Sequence, residues 1–160
     1  MSKIYFPALP LQEKVAGDGG LTRDAALAAA LANVRAMSDE GDRCIEDAIQ
    51  SLENIVTSAT QGRLTTNQMR FVLDQSDQVI NMAGTFGYDS LERTCRNLCD
   101  IVDGMLGDGH DEVAPVSVHV RAMRLFAPTC TLPPVEASAQ VVAELSRVTD
   151  FYNYVPLANQ

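Results

Sequence analysis

Few residues in this chain of 160 are of the reactive or metal-binding types, since it has four cysteines and two histidines. Cys95 and Cys99 are one helical turn apart, so their thiols would be neighbours and could share a metal ion with two further ligands. The spacing is not that of a structural zinc site, and reduced cysteines in helices commonly pack as small apolar residues. We therefore predict core packing for both, with a redox role as the alternative.

The two histidines lack the neighbours that catalysis needs. His119 lies among apolar residues on a predicted helix, and we interpret it as a partly buried, hydrogen-bonded histidine. His110 lies in an acidic segment, Leu106 to Pro115, which its glycines predict to be a loop. Its acidic residues lack the spacing of a calcium loop or of a zinc-binding histidine pair, so no metal is expected. With no Ser-His-Asp set, P-loop or dinucleotide fingerprint, we expect neither an enzyme nor a cofactor.

Residues 66 to 106 are predicted to form the helical hairpin around which the chain is organised. Apolar residues from Met69 to Ala83 recur at helical spacing, which places them on one buried face. Gly87 suits the left-handed position that ends a helix, and Asp89 is a candidate N-cap for the next. That second helix is predicted to bury Leu91, Cys95, Leu98, Val102 and Met105. Because the connection is short, the two helices should be antiparallel neighbours.

The polar face of the first hairpin helix is a continuous stripe. Arg70, Asp74, Asp77 and Asn81 follow one another at intervals of four, three and four residues, and Gln78 and Met82 are adjacent. We call these six residues the docking stripe. A solvated helix face would look the same, so the pattern by itself fits either a binding surface or plain solvent exposure.

The hairpin resembles the histidine-containing phosphotransfer (HPt) domains, four-helix bundles that relay a phosphoryl group between histidine kinases and receiver domains. The resemblance lies in the small-residue run Met82, Ala83 and Gly84, followed by Thr85 and Phe86, then Gly87 and Leu91. In that register Asp77 stands at the position of the accepting histidine. Ile80 stands at the lysine position and Asn81 at the first glycine position.

These three departures imply a domain that keeps the scaffold and has lost the relay. An imidazole with a pKa of about 6.5 is nucleophilic near neutral pH, whereas an exposed carboxylate is a weaker base. An isoleucine cannot offset the charge of a phosphoryl group, and Asn81 fills space that a glycine would leave for a partner loop. The resemblance therefore implies a pseudo-phosphotransfer domain that docks a receiver domain or a histidine kinase over the docking stripe.

Composition and charge restrict the partners. A hydrophobic content of 46% suffices for one domain with a core, and the low aromatic content with abundant alanine and leucine favours helix packing. The formal net charge of −9 argues against binding nucleic acid or anionic membranes. No apolar run is long enough to span a membrane, and the N-terminus lacks the apolar core of a signal peptide, so a cytoplasmic location is expected.

The predicted fold is all-α, an antiparallel four-helix bundle of the HPt type with an additional N-terminal helical arm. Residues 1–38 comprise an extended segment and an alanine-rich helix with Thr22 as its cap, and residues 39–160 comprise the bundle. The last helix should turn Val135 and Leu145 inward. Alternative hypotheses are a structural or oligomerising module without a phosphorelay role, and an active phosphotransfer protein that uses an unrecognised residue. The protein would be a monomer, or a homodimer through the arm.

Overall fold

The structure, a computed structural model, describes residues 22–151, with side chains through Asp150. Six helices fill this range, and the predicted all-α class is confirmed. They are α1 (Arg23–Ala36), α2 (Ser38–Ser58), α3 (Thr66–Phe86), α4 (Asp89–Asp108), α5 (Val113–Leu125) and α6 (Val135–Phe151). The predicted extended segment at residues 1–20 lies outside the described residues.

The chain divides into two compact units, one ending at Ala36 and the other beginning at Met37. Helix α1 belongs to the first unit. Its N-terminus is capped as the sequence predicts, because the Thr22 hydroxyl accepts a hydrogen bond from the backbone N–H of Ala25 at 3.2 Å. None of its residues is buried, and Leu27 and Leu31 are both at least half exposed.

In the second unit, helices α2 to α5 contact one another in a closed ring. Helix α3 packs between α2 and α4, and α5 contacts both α4 and α2. The hydroxyl of Tyr88, just after α3, donates to Asp42 near the start of α2 at 2.7 Å, while Gln68 near the start of α3 reaches Ser58 at the end of α2. Helices α2 and α3 are therefore antiparallel. Contacts of this kind are those expected in helical bundles, and the four-helix bundle of the HPt type stays a prediction.

Helix α6 packs outside the ring, mainly against α4 and to a lesser extent against α5. The side-chain amide of Asn97 on α4 donates to the hydroxyl of Ser146 on α6 at 3.1 Å. Leu145 is buried, as predicted, but Val135 is 80% exposed. The prediction for Val135 is wrong: Val135 is the first residue of α6, and its side chain stays largely in solvent.

The core lies inside the ring, and helical periodicity predicted much of the contribution that α4 makes to it. All five residues predicted for the inner face of α4 are completely buried. Apolar side chains that face each other across the ring exclude water, and each one buried stabilises the fold by about 1.5–3 kcal/mol. The largest completely buried side chains are Phe126, Ile45, Ile49, Leu52, Leu91, Leu98, Ile101, Met105 and Met123.

Two local predictions are wrong at the ends of α4. The segment from Leu106 to Pro115 is not a single loop, because α4 continues to Asp108 and α5 begins at Val113. The connection is only four residues long, and Gly109 ends α4 in the left-handed conformation at φ 75°. Asp89 is the first residue of α4 rather than its N-cap, which is Tyr88. Acidic residues in a first turn still interact favourably with the helix dipole.

Candidate docking surface on α3 and α4

Helix α3 is fixed at both ends by its own sequence. At its start, the Thr65 hydroxyl accepts a hydrogen bond from the backbone N–H of Gln68 at 3.2 Å, and the Thr65 N–H donates to the Gln68 side chain at 2.8 Å. This reciprocal pair is a capping box. At its end, Gly87 adopts φ 82° and its N–H donates to the carbonyl of Ala83 at 2.9 Å. Local interactions therefore set the two ends of α3. Burial of its apolar face sets the rotation of the helix about its own axis.

That rotation leaves every residue of the docking stripe exposed. Arg70, Asp74, Asp77, Gln78, Asn81 and Met82 all lie on the outer face of α3. Ile80, at the position where the resemblance places a lysine, is half-buried and packs against the core. Asp77 thus lies near the middle of an exposed helix face, whereas Ile80, three residues further on, packs against the core.

Sequence analysis included Met82 in this surface but missed a second apolar residue, Phe71. Phe71 is 39% exposed and Met82 is 36% exposed, and both lie on α3. Phe71, Asp74, Gln78 and Met82 follow at intervals of three, four and four, so the two apolar side chains flank polar ones on the same face. The signal was available in the spacing, but Phe71 could equally have turned toward a neighbouring helix.

The structure also brings acidic residues of α4 next to Asp77. The charge of Asp77 acts on Cys99 and Asp103, and Asp103 in turn acts on Asp100. Partial burial, followed by repulsion from Asp77, raises the pKa of Asp103 above its ordinary value. Burial, followed by the charges of Asp77 and Asp103, raises the pKa of the Cys99 thiol to about 12. Cys99 is therefore a neutral thiol at physiological pH and a poor nucleophile.

All four cysteines are free thiols. Cys95 is completely buried among the core residues, as predicted, and burial raises its pKa far above the ordinary range. Cys99 is only half-buried, at the edge of the core next to the acidic residues. The predicted packing role thus fits Cys95 fully and Cys99 in part.

His119 is completely buried on α5, more deeply than the predicted partial burial. Its Nδ1 lies 2.8 Å from the carbonyl oxygen of Pro115, and its Nε2 has no hydrogen-bond partner among the described residues. Burial lowers the pKa of His119, and the hydrogen bond to Pro115 opposes this only in part. A partner protein could not reach this imidazole without opening the core.

His110 lies in the short connection between α4 and α5, far along the chain from the docking stripe. Its Nδ1 is 3.6 Å from a carboxylate oxygen of Glu112, and both side chains are half exposed. Arg63 forms an ion pair with the neighbouring Asp111 at 3.1 Å. Within residues 22–150, no three histidine, cysteine, aspartate or glutamate side chains come together in a way that could hold a metal ion.

Comparison of the chain with models of protein families, with curated proteins and with solved structures gives no match. Among the described helices, none combines the length and the apolar composition needed to cross a bilayer.

Proposed function

We propose that this protein is a signalling module that works by protein contact, a pseudo-phosphotransfer domain that docks a receiver domain or a histidine kinase of a two-component system. The observation that carries the proposal is the docking stripe, exposed along one face of α3 with Asp77 at its centre. The left-handed Gly87 at the end of the same helix supports the HPt resemblance, because its motif requires a turn there. A cytoplasmic location accompanies this proposal, because such partners act there.

The chemistry of the surface supports docking without phosphate transfer. Asp77 is exposed and lies among other acidic groups, so an incoming phosphoryl group would meet like charge. No basic side chain stands at the lysine position to offset that charge, because Ile80 packs against the core. The buried His119 offers no accessible substitute. The surface therefore favours binding of a protein over acceptance of a phosphoryl group.

Affinity capture from lysate tests the docking proposal. The native protein, Asp77→Arg and the matched control Asp47→Arg are immobilised, and captured proteins are identified by mass spectrometry. Asp47 is an exposed aspartate on α2, so its reversal changes net charge equally at another place. The proposal expects a receiver or kinase to be captured by the native protein and the control and lost with Asp77→Arg. If no two-component protein is captured, or if Asp77→Arg captures the same set, the docking proposal is wrong.

A gain-of-function variant tests the family resemblance separately. Combining Asp77→His, Ile80→Lys and Asn81→Gly restores the three departed positions, and the variant should accept a phosphoryl group from a phosphorylated receiver that docks. The native protein is the baseline, and phosphate acceptance by it would instead favour the hypothesis of an unrecognised acceptor. If a receiver binds the triple variant and no phosphoryl group is transferred, the proposed register is wrong.

A second candidate function, an oligomerising helical module, is favoured by helix α1. It carries Leu27 and Leu31 one turn apart, both exposed, on a helix with no buried residue. Association with a second copy would cover them. Light scattering at several concentrations tests this, and Leu27→Ser with Leu31→Ser should convert a dimer to a monomer. A monomeric native protein at all concentrations would eliminate this candidate.

A further inference from the structure

A cleft of about 690 Å³ opens between the first turns of α4 and α6. Its floor is formed by Leu91 of α4 and by Phe126, which are both almost completely buried. The hydrogen bond between Asn97 and Ser146 joins the two helices just beyond the cleft. Pockets that bind ligands in proteins typically have volumes of about 300–1,000 Å³, so this cleft is large enough to be one.

One side of the cleft is apolar although it faces water. Leu132 and Val135 are 54% and 80% exposed, and both line the cleft. Ala139 and the half-buried Val142 continue this apolar side along α6. Exposed apolar side chains next to a buried apolar floor favour a ligand that brings an apolar group of its own.

The α4 side of the cleft is charged and contains an arginine that has no partner. Two nitrogens of Arg96 donate to one carboxylate oxygen of Glu92, at 3.0 and 2.6 Å, so these two charges offset each other. Arg93 is exposed and forms no ion pair with any residue between 22 and 150. Asp89, one turn earlier, lines the cleft as well but does not pair with Arg93. The guanidinium of Arg93 is therefore available to a ligand.

We propose that this cleft binds a segment of a partner protein in which a carboxylate neighbours an apolar side chain. The apolar side chain lies over Leu91 and Phe126, and the carboxylate accepts two parallel hydrogen bonds from the planar guanidinium of Arg93. Pockets for small molecules bury about 70–90% of the ligand, whereas the exposed Leu132 and Val135 leave this cleft open for a chain that crosses it.

The charge of the whole protein makes the proposal specific. The formal net charge of −9 repels acidic ligands in general, so binding of a carboxylate here has to depend on groups at the cleft itself. The cleft lies on α4 and α6 and the docking stripe lies on α3. This second interaction is therefore separate from the function proposed above, and the failure of one leaves the other standing.

A peptide titration followed by fluorescence anisotropy tests the inference. The probe is a short labelled peptide with blocked ends and a central glutamate between leucine and phenylalanine, compared with peptides that carry glutamine or lysine in place of the glutamate. Glutamine keeps the shape and removes the charge. We expect an affinity about tenfold lower for the glutamine peptide, because one charge-assisted contact is lost. Equal affinity for the glutamate and glutamine peptides, or tighter binding of the lysine peptide, would overturn the inference.

Variants of the protein locate the binding site. Arg93→Gln should weaken binding of the glutamate peptide about tenfold, whereas Arg121→Gln, at an exposed arginine on α5, should leave it unchanged. Ala139→Phe should abolish binding by filling the cleft, whereas Ala143→Phe, at an exposed position one turn further along α6, should not. Asp89→Asn should strengthen binding, because a like charge beside the carboxylate is removed. Equal weakening by the two arginine variants, or binding that survives Ala139→Phe, would refute the site.

Two other occupants of the cleft give different results. If light scattering shows a dimer of the native protein that Ala139→Phe dissociates, the occupant is a second copy of the chain. If decanoate binds in a way that requires Arg93 and the glutamate peptide does not bind, the occupant is a free carboxylate with an apolar tail. Either result would contradict recognition of a partner segment.

Discussion

Replacing Arg124 by methionine tests whether α5 is held on α2 by a network of ion pairs. The Arg124 guanidinium donates to both carboxylate oxygens of Glu53 at 2.9 Å each, and its third nitrogen donates to Glu46. Glu46 also accepts hydrogen bonds from the hydroxyl and the backbone N–H of Thr129, at 2.5 and 3.3 Å. Methionine keeps much of the aliphatic stem and removes all of the donors.

The expected loss follows from the burial of the three side chains. Arg124, Glu46 and Glu53 are 31%, 22% and 32% exposed, so the network is neither a surface pair nor a buried one. Exposed pairs contribute about 0.2–1 kcal/mol, and hydrogen bonds to charged groups about 1.5–3 kcal/mol. We expect Arg124→Met to lower the free energy of unfolding by about 2 kcal/mol, which corresponds to a melting temperature lower by about 4–8 °C for a protein of this size.

The assay is urea unfolding followed by circular dichroism, with Arg147→Met as the control. Arg147 pairs with Glu144 at 2.9 Å, but their side chains are 76% and 58% exposed, so its loss should be below about 0.5 kcal/mol. A double variant with Glu53→Gln should lose less than the sum of the single variants, because the two residues share one interaction. If Arg124→Met and Arg147→Met lose equal stability, the network does not hold α5 on α2.

The same network should depend on pH. Partial burial alone would raise the pKa of Glu46. Hydrogen bonds from Thr129 and Arg124 nevertheless hold that pKa below its ordinary value of 4.5. A carboxyl with a depressed pKa stabilises the folded state above its unfolded pKa, and this contribution is lost as the pH falls through the folded pKa. The difference between the native protein and Arg124→Met should therefore be complete near neutral pH and shrink below about pH 4.5. A constant difference down to about pH 3 would contradict this mechanism.

Three further predictions concern the core. Gly41→Ala should destabilise the folded state by about 1–3 kcal/mol, because the added Cβ would lie 1.9 Å from the ring of Phe86. The control Gly107→Ala should not destabilise it, because there is open space around Gly107. Equal unfolding midpoints for the two variants would show that Phe86 moves freely. Burial lowers the pKa of His119, so protonation of this histidine favours the unfolded chain. The free energy of unfolding should therefore be unaffected by His119 above about pH 6.5 and should fall as the pH drops below that value, by at most about 1.4 kcal/mol per pH unit. His119→Leu should flatten that part of the stability curve, and an unchanged slope in urea titrations would assign it to other groups. Leu98→Ala should lose about 2–5 kcal/mol, because Leu98 is completely buried, and a loss under about 1 kcal/mol would contradict its place in the core.

Much of the candidate surface could be predicted because the docking stripe depends only on the period of one helix. The apolar residues from Met69 to Ala83 face inward, so Asp77 and its neighbours must face outward. The helical period does not determine the role of that surface. The HPt resemblance and the docking partner stay predictions, because an exposed polar face is compatible with many functions and only binding experiments separate them.

The sequence by itself determined the features that depend on neighbouring residues. The capping box at Thr65, the left-handed turn at Gly87 and the inner faces of α3 and α4 follow from residues within a few positions of one another. Side chains three and four residues apart share a helix face, and caps satisfy the free N–H groups of their own helix. These interactions are the same in any fold that contains the segment.

Only the tertiary structure decided which faces meet. Arg124 reaches glutamates 71 and 78 residues away along the chain, and Asp77 faces the aspartates of α4 across a helix boundary. The position of α6 outside the ring and the close approach of Phe86 to Gly41 are of the same kind. Helical periodicity specifies one face of each helix but not its neighbour, because the choice of partner depends on how all the side chains of the ring pack at once.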